Sequence, residues 1–114
     1  MPQAINRDNE TLSAKTYALV KQIPEGRVCT YGLIAALLGK PRAARVIGGI
    51  LSRCPEDENA PCHRVVKHDG SLCGSEPFSL VQFELLRGEG VPFRPDGKVD
   101  LGACCWAGSE VEHQ

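Results

Sequence analysis

The sequence predicts a mainly α-helical single domain with a small β hairpin, in a winged helix-turn-helix-like arrangement. Three observations lead there. Apolar residues recur at helical spacing in four separate short stretches. Two of these are joined by Gly39-Lys40-Pro41, a left-handed cap followed by a helix-starting proline. A β-branched pair, Val65-Val66, runs into Lys67-His68-Asp69-Gly70, whose Asp-Gly step signals a hairpin. A chain of 114 residues is long enough to bury one core without staples. The domain is expected over residues 11–106, between a polar, disordered lead-in (1–10) and a tail (107–114).

Leu12, Tyr17, Val20 and Ile23, with Leu19 alongside, place the first helix over residues 11–23, and Pro24-Glu25-Gly26 stops it. Arg27-Val28-Cys29 reads as a brief extended piece leading to Thr30, a good N-cap for a second helix over residues 31–38. Ile34, Leu37 and Leu38 form the apolar side of that helix. The third helix is expected over residues 42–52, burying Val46, Ile47, Ile50 and Leu51. Gly48-Gly49 inside it costs about 1 kcal/mol per glycine against alanine. Such a pair is expected where another backbone packs close, here the segment carrying Cys62. The helix pair fits two readings, a DNA-docking helix-turn-helix and a plain αα-hairpin in a core. A fourth helix over residues 79–87 turns Leu80, Phe83 and Leu86 inward and ends at Gly88. Val91-Pro92-Phe93 and Lys98 to Leu101 read as extended, and Trp106 as an anchor for the chain end.

Composition narrows the function classes. The chain is 42% hydrophobic and 24% charged, and no apolar run approaches the roughly 18 residues of a membrane span. The polar start has no basic-then-apolar signal pattern, so an intracellular protein with no membrane partner is expected. Six cysteines are spread singly except for the adjacent Cys104-Cys105, which favours free thiols over a disulfide framework. No C-x-x-C pair supports zinc, and no metal is expected. The net charge of −1 does not announce a nucleic-acid protein, but its distribution does more. Between Gly26 and Arg53 stand Arg27, Lys40, Arg42, Arg45 and Arg53 with no Asp or Glu. That run is either a solvated helix face or a phosphate-attracting one.

The chemistry concentrates in Pro61-Cys62-His63-Arg64-Val65-Val66. A thiol is nucleophilic as the thiolate, which an adjacent imidazole or guanidinium favours. The β-branched end predicts a short strand, or the mouth of one, holding Cys62 in place. A buried, inert strand cysteine is the competing reading.

This hexapeptide resembles the active-site motif of the O6-alkylguanine-DNA alkyltransferases, which move an alkyl group from guanine to their own cysteine. Thr30-Tyr31-Gly32, Pro41-Arg42-Ala43-Ala44-Arg45-Val46 with Gly48-Gly49, and Glu89-Gly90-Val91 are similar to family segments in the same order, so the resemblance covers about residues 11–101. It implies that Cys62 is the alkyl acceptor, that His63 takes the thiol proton through a water, and that Glu89 orients His63. It implies DNA contacts from Tyr31, Arg42, Ala43, Arg45, Gly48 and Arg64. Tyr31 helps rotate the nucleotide and Arg45 fills the gap left in the stack. Val65, Ser75 and Glu76 would border the guanine. Minor-groove docking suits base flipping with little sequence reading. The implied partner is double-stranded DNA containing alkylated guanine, bound by a monomer, with other DNA-repair proteins as further partners. The thioether product does not reverse, so no cofactor is expected and one molecule would repair one lesion. In length the chain is similar to the small alkyltransferase-like members, which bind such DNA without chemistry and flag it for another pathway. Cys54 stands where active members commonly carry asparagine, and Ser75-Glu76-Pro77 replaces an aromatic-and-glycine loop. A sequence-reading regulator would need base-edge chemistry that the Arg-Ala opening of the third helix does not offer.

Overall fold

The computed structural model describes residues 12–55, 58–72 and 77–108. The expectations for residues 1–10, for Ser75 and Glu76, and for the end of the tail lie outside the described residues. The elements run in the order α1 (residues 12–20), β1 (Cys29–Thr30), α2 (Tyr31–Leu37), α3 (Ala44–Ser52), a 3-10 turn (Cys62–Arg64), β2 (Val65–Val66), α4 (Phe78–Gly88) and α5 (Leu101–Cys104).

The local signals that set the helix-turn-helix act as written in the sequence. The Thr30 hydroxyl accepts from the Leu33 N–H at 3.1 Å and starts α2. Gly39 takes φ +79° just past its end, and the Lys40 N–H closes on the Ala35 carbonyl at 2.8 Å. The third helix starts later than residue 42. Pro41 occupies the second position of a turn in which the Ala43 N–H reaches the Lys40 carbonyl at 2.9 Å, so α3 opens at Ala44. Ile47, Ile50 and Leu51 are buried as expected, whereas Val46 is 51% exposed.

The β component holds a correction. Val65–Val66 pairs with Cys29–Thr30 in parallel, Cys29 opposite Val65 and Thr30 opposite Val66. A parallel pair needs a crossover, and α2 with α3 supplies it. The Asp69-Gly70 turn does form, with Lys67 N–H to the Ser71 carbonyl at 3.0 Å, but the antiparallel bridge lies further on, between Phe93 and Val99. The two hairpin-like turns pack together. The Gly70 carbonyl (φ +89°) accepts from the Val99 N–H at 2.9 Å, and any Cβ there would sit 2.5 Å from the Val99 oxygen.

Successive strand residues point to opposite faces, and here that splits the core in two. Cys29 and Val65 face a cluster built from α1, α2, α3 and Trp106, including Tyr17, Ile34 and Ile47. Val28 and Val66 face a second cluster with Leu86, Val91, Val99 and Cys104. The Tyr17 hydroxyl donates to the Ile50 carbonyl at 2.8 Å, fixing α1 against α3. The chain end docks on the far edge of β1, where Val28 N–H meets the Cys104 carbonyl and Trp106 N–H meets the Val28 carbonyl. Trp106 is fully buried, as expected of an anchor. On α4 the inward residues are Gln82 and Leu86, with Phe83 tilted against Phe93 at 4.9 Å, while Leu80 is 52% exposed rather than inward.

Candidate active site and nucleic-acid interface

Cys62 and His63 stand at the mouth of β2, on a tight turn rather than on the strand itself. Pro61 has φ −77° and ψ 68°, and the Cys62 N–H reaches back to the Ala60 carbonyl at 2.8 Å, an inverse γ-turn that the proline ring favours. The chain then coils once, Arg64 N–H to Pro61 carbonyl at 2.9 Å, before straightening into β2. Gln82 pins this coil from α4. Its buried amide donates to the carbonyls of both His63 and Val65 at 3.0 Å. Nothing in the hexapeptide announces that clamp. Its trace in the sequence is a polar residue one turn before Leu86, in the buried stripe of α4.

His63 and Glu89 come together across 26 residues, His63 Nε2 lying 2.7 Å from Glu89 Oε2. A carboxylate only accepts, so Nε2 carries the hydrogen and neutral imidazole presents a lone pair at Nδ1. Glu89 sits at the C-terminal end of α4, where the helix dipole disfavours an anion by about 0.3–1 kcal/mol. Arg64 more than offsets this. Its Nε and one terminal nitrogen reach the two Glu89 oxygens at 2.9 Å, and the other terminal nitrogen donates to the Ile23 carbonyl at 2.9 Å. Burial works against the Glu89 charge, yet the hydrogen bonds from Arg64 and His63 prevail and hold its carboxyl below the ordinary value. Arg64, which the family resemblance marks as a DNA contact, has its guanidinium only 16% exposed and engaged inside the fold.

Cys62 differs from the expectation of an activated thiol. Burial, followed by a hydrogen bond with Cys54, pushes it up to about 12. A hydrogen bond that favours the protonated form makes Cys62 the donor and the Cys54 sulfur the acceptor. Cys54 in turn donates to the Pro55 carbonyl at 3.6 Å. The Cys62 thiol is thus influenced by Cys54, while the His63 ring is engaged by Glu89.

Cys62 borders an apolar cavity of about 710 Å³, a size that suits a small-molecule group. Tyr31, Gly48, Cys54, Phe78, Val81 and Leu85 form much of its wall. The last three are unusually open for apolar side chains, at 60%, 54% and 46% exposure. Behind Tyr31 and Gly48 lies a second, more open recess that shares Lys67 with the first and adds Arg45 and His68. Arg42 and Arg45 are exposed, Ala43 and Gly48 half-buried. Lys67 and His68 are thus brought beside the start of α3 by the turn after β2. Sequence reading left His68 without company, because the contact spans more than 20 residues of chain.

Gly48 also corrects an expectation. A Cβ there would lie 3.9 Å from the Tyr31 ring, an ordinary contact, and not against the Cys62 segment. Gly48→Ala is therefore expected to stabilise α3 by about 0.5–1 kcal/mol, read as a rise of a few degrees in thermal denaturation.

The fold and site now have known counterparts. The family model described as 6-O-methylguanine DNA methyltransferase, DNA binding domain, matches residues 11–91. A relative named DNA base-flipping protein, from Escherichia coli K12, is 39% identical over 107 residues, covering 93% of this chain and 83% of its own. Methylated-DNA--protein-cysteine methyltransferase of Cricetulus griseus is 38% identical over 87 residues, 75% of this chain but 42% of its own. The crystal structure of S. pombe Atl1 in complex with damaged DNA containing O6-carboxymethylguanine superposes with a TM-score of 0.74 at 29% identity, covering 85% of this chain and 95% of that one. The chain belongs to the family of the 6-O-methylguanine DNA methyltransferase DNA-binding domain.

Proposed function

We propose that this protein binds duplex DNA carrying O6-alkylguanine, turns the base out of the stack and accepts its alkyl group on Cys62. One observation carries the reading: Tyr31 and Gly48 line both the basic recess and the apolar cavity bordered by Cys62. A backbone docked on the cationic side has its extruded base delivered to the thiol. Arg42 and Arg45 supply phosphate attraction and a side chain to occupy the vacated space.

The chemistry follows from the local geometry. The Cys62 sulfur attacks the alkyl carbon, the carbon–sulfur bond forms and the carbon–O6 bond breaks, leaving the electron pair on guanine. The thiol proton passes through a water to His63 Nδ1, and the guanine anion takes up a proton to leave as the ordinary base. Glu89 stabilises the imidazolium that forms in between, across the 2.7 Å contact. Arg64 acts one step back, as the group that keeps Glu89 ionised.

Incubation with a duplex containing O6-methylguanine, followed by peptide mass analysis, tests this. Cys62 alone should gain the mass of one methylene, and Cys62→Ala should gain none. Lesion-dependent binding with an unchanged mass would instead establish a second reading, recognition without transfer. That reading has its own support: burial and then Cys54 favour the protonated form of the resting thiol, and one relative carries the name DNA base-flipping protein.

The basic recess makes a separate expectation. Lys67→Ala should weaken binding to lesion-containing and plain duplex alike and reduce the log–log salt slope by about 1. Affinities measured between about 50 and 200 mM salt check it. A change confined to lesion DNA would remove Lys67 from the phosphate contacts.

A further inference from the structure

Two thiols meet at the edge of the reactive cavity. Cys54 follows the last turn of α3, its N–H bonded to the Leu51 carbonyl at 3.2 Å, and Cys62 opens the 3-10 turn. Both sulfurs border the cavity, both residues pack on the same core cluster, and both are half-buried. After burial, the Cys54 side chain is the largest influence on the Cys62 thiol. Cys54 lies outside α3 and borders the same cavity as Cys62, so a bond between the two requires their sulfurs to close to the about 2.05 Å of a disulfide. The other described cysteines are placed differently: Cys29 and Cys104 are buried, and Cys105 docks beside Val28.

We propose that Cys54 and Cys62 form a dithiol which hydroperoxides close to a disulfide, withdrawing the acceptor sulfur until a thiol reductant reopens it. Cys54 reacts first, because its contact with the Pro55 carbonyl lies at the exposed side. Its sulfur attacks one peroxide oxygen, the O–O bond breaks, and the leaving hydroxide takes the thiol proton as water. The Cys62 sulfur then attacks the Cys54 sulfenic acid and its S–OH bond breaks. The departing hydroxide takes the Cys62 proton and leaves as water. Two thiols and one hydroperoxide give one disulfide and two hydroxyl products (two waters for hydrogen peroxide), and the peroxide receives both electrons. Alkylation and oxidation compete for the same sulfur, so the oxidised protein neither accepts an alkyl group nor loses Cys62 to irreversible oxidation.

The consequence for alkyl transfer rests on Cys62 being the acceptor, but the disulfide itself is read by mass alone. The full chain is treated with hydrogen peroxide, its remaining thiols are capped, and it is digested without reduction. The expected product is an intact mass lower by two hydrogens and one cross-linked peptide pair joining Cys54 to Cys62, both reversed by dithiothreitol. Cys54→Ser and Cys54→Ala should give no such pair, and their Cys62 should instead gain oxygen that dithiothreitol does not remove. Wild-type protein whose Cys62 only gains oxygen, or bridges a cysteine other than Cys54, overturns the proposal. If Cys62 never accepts an alkyl group, the cross-link still forms, and only the functional consequence falls.

Discussion

Glu89→Ala is expected to cost about 3 kcal/mol of folding stability, about a hundredfold in the folding equilibrium. The Glu89 side chain is 14% exposed and faces Arg64 and His63 at 16% and 19%. Its removal leaves the Arg64 guanidinium in the interior with the Ile23 carbonyl as its remaining hydrogen-bond partner among the described residues, and strands the His63 Nε2 hydrogen. A charge buried without its partner costs more than the pair itself was worth, which sets the size of the effect. Urea denaturation of the variant measures it, and a loss below about 1 kcal/mol would show that water substitutes for the carboxylate. The pH dependence has a definite sign. Folding lowers the Glu89 pKa from its ordinary 4.5, so its contribution is complete above about pH 4.5 and is lost as pH falls through the lowered value. Glu89→Gln should flatten that acid limb. In alkyl transfer both variants should be slower, since the imidazole loses the group that fixes its tautomer and balances its charge.

Cys54→Asn is expected to speed alkyl transfer to Cys62 by about tenfold. Burial first, then the hydrogen bond and charge of Cys54 and last the charge of Glu58 raise the Cys62 thiol to about 12. Burial stays in the variant. The hydrogen bond reverses its sense, because an asparagine amide donates and a donor aimed at sulfur favours the thiolate. One pKa unit of relief is a tenfold change in thiolate population. Single-turnover transfer from an O6-methylguanine duplex measures the rate, and iodoacetamide labelling of Cys62 at mildly alkaline pH reports the thiolate without DNA. Equal rates in the two proteins would mean that Cys54 does not govern the acceptor. The same thiol fixes a stability trend. Folding favours its protonated form, so its contribution is level below the ordinary value of 9.0 and declines as pH rises from there toward about 12.

What the sequence by itself determined is local. Thr30 as N-cap, Gly39 as left-handed cap and the Asp69-Gly70 turn each act within a few residues through backbone hydrogen bonds, so their meaning survives without the rest of the fold. The same holds for the apolar spacing that buries Ile34, Ile47, Ile50 and Leu51. Order along the chain was also enough to nominate Cys62, His63 and Glu89 as a group, through their likeness to a family pattern.

The tertiary structure decided everything that depends on who meets whom. Val65–Val66 looked the same whether its partner came from the following turn or from Cys29–Thr30, since strand propensity is indifferent to the direction of pairing. Arg64 entered as a DNA contact through the family resemblance, while its carboxylate partner, 25 residues away, was not visible in the sequence. Gln82 was passed over for the same reason: its role lies in two carbonyls on another segment. Cys62 changed most. Beside His63 and Arg64 in sequence it looked activated, but electrostatics acts through space and through desolvation, and in space its nearest influence is Cys54. The chain wrote the reactive residue into its sequence, and left the state of that residue to packing.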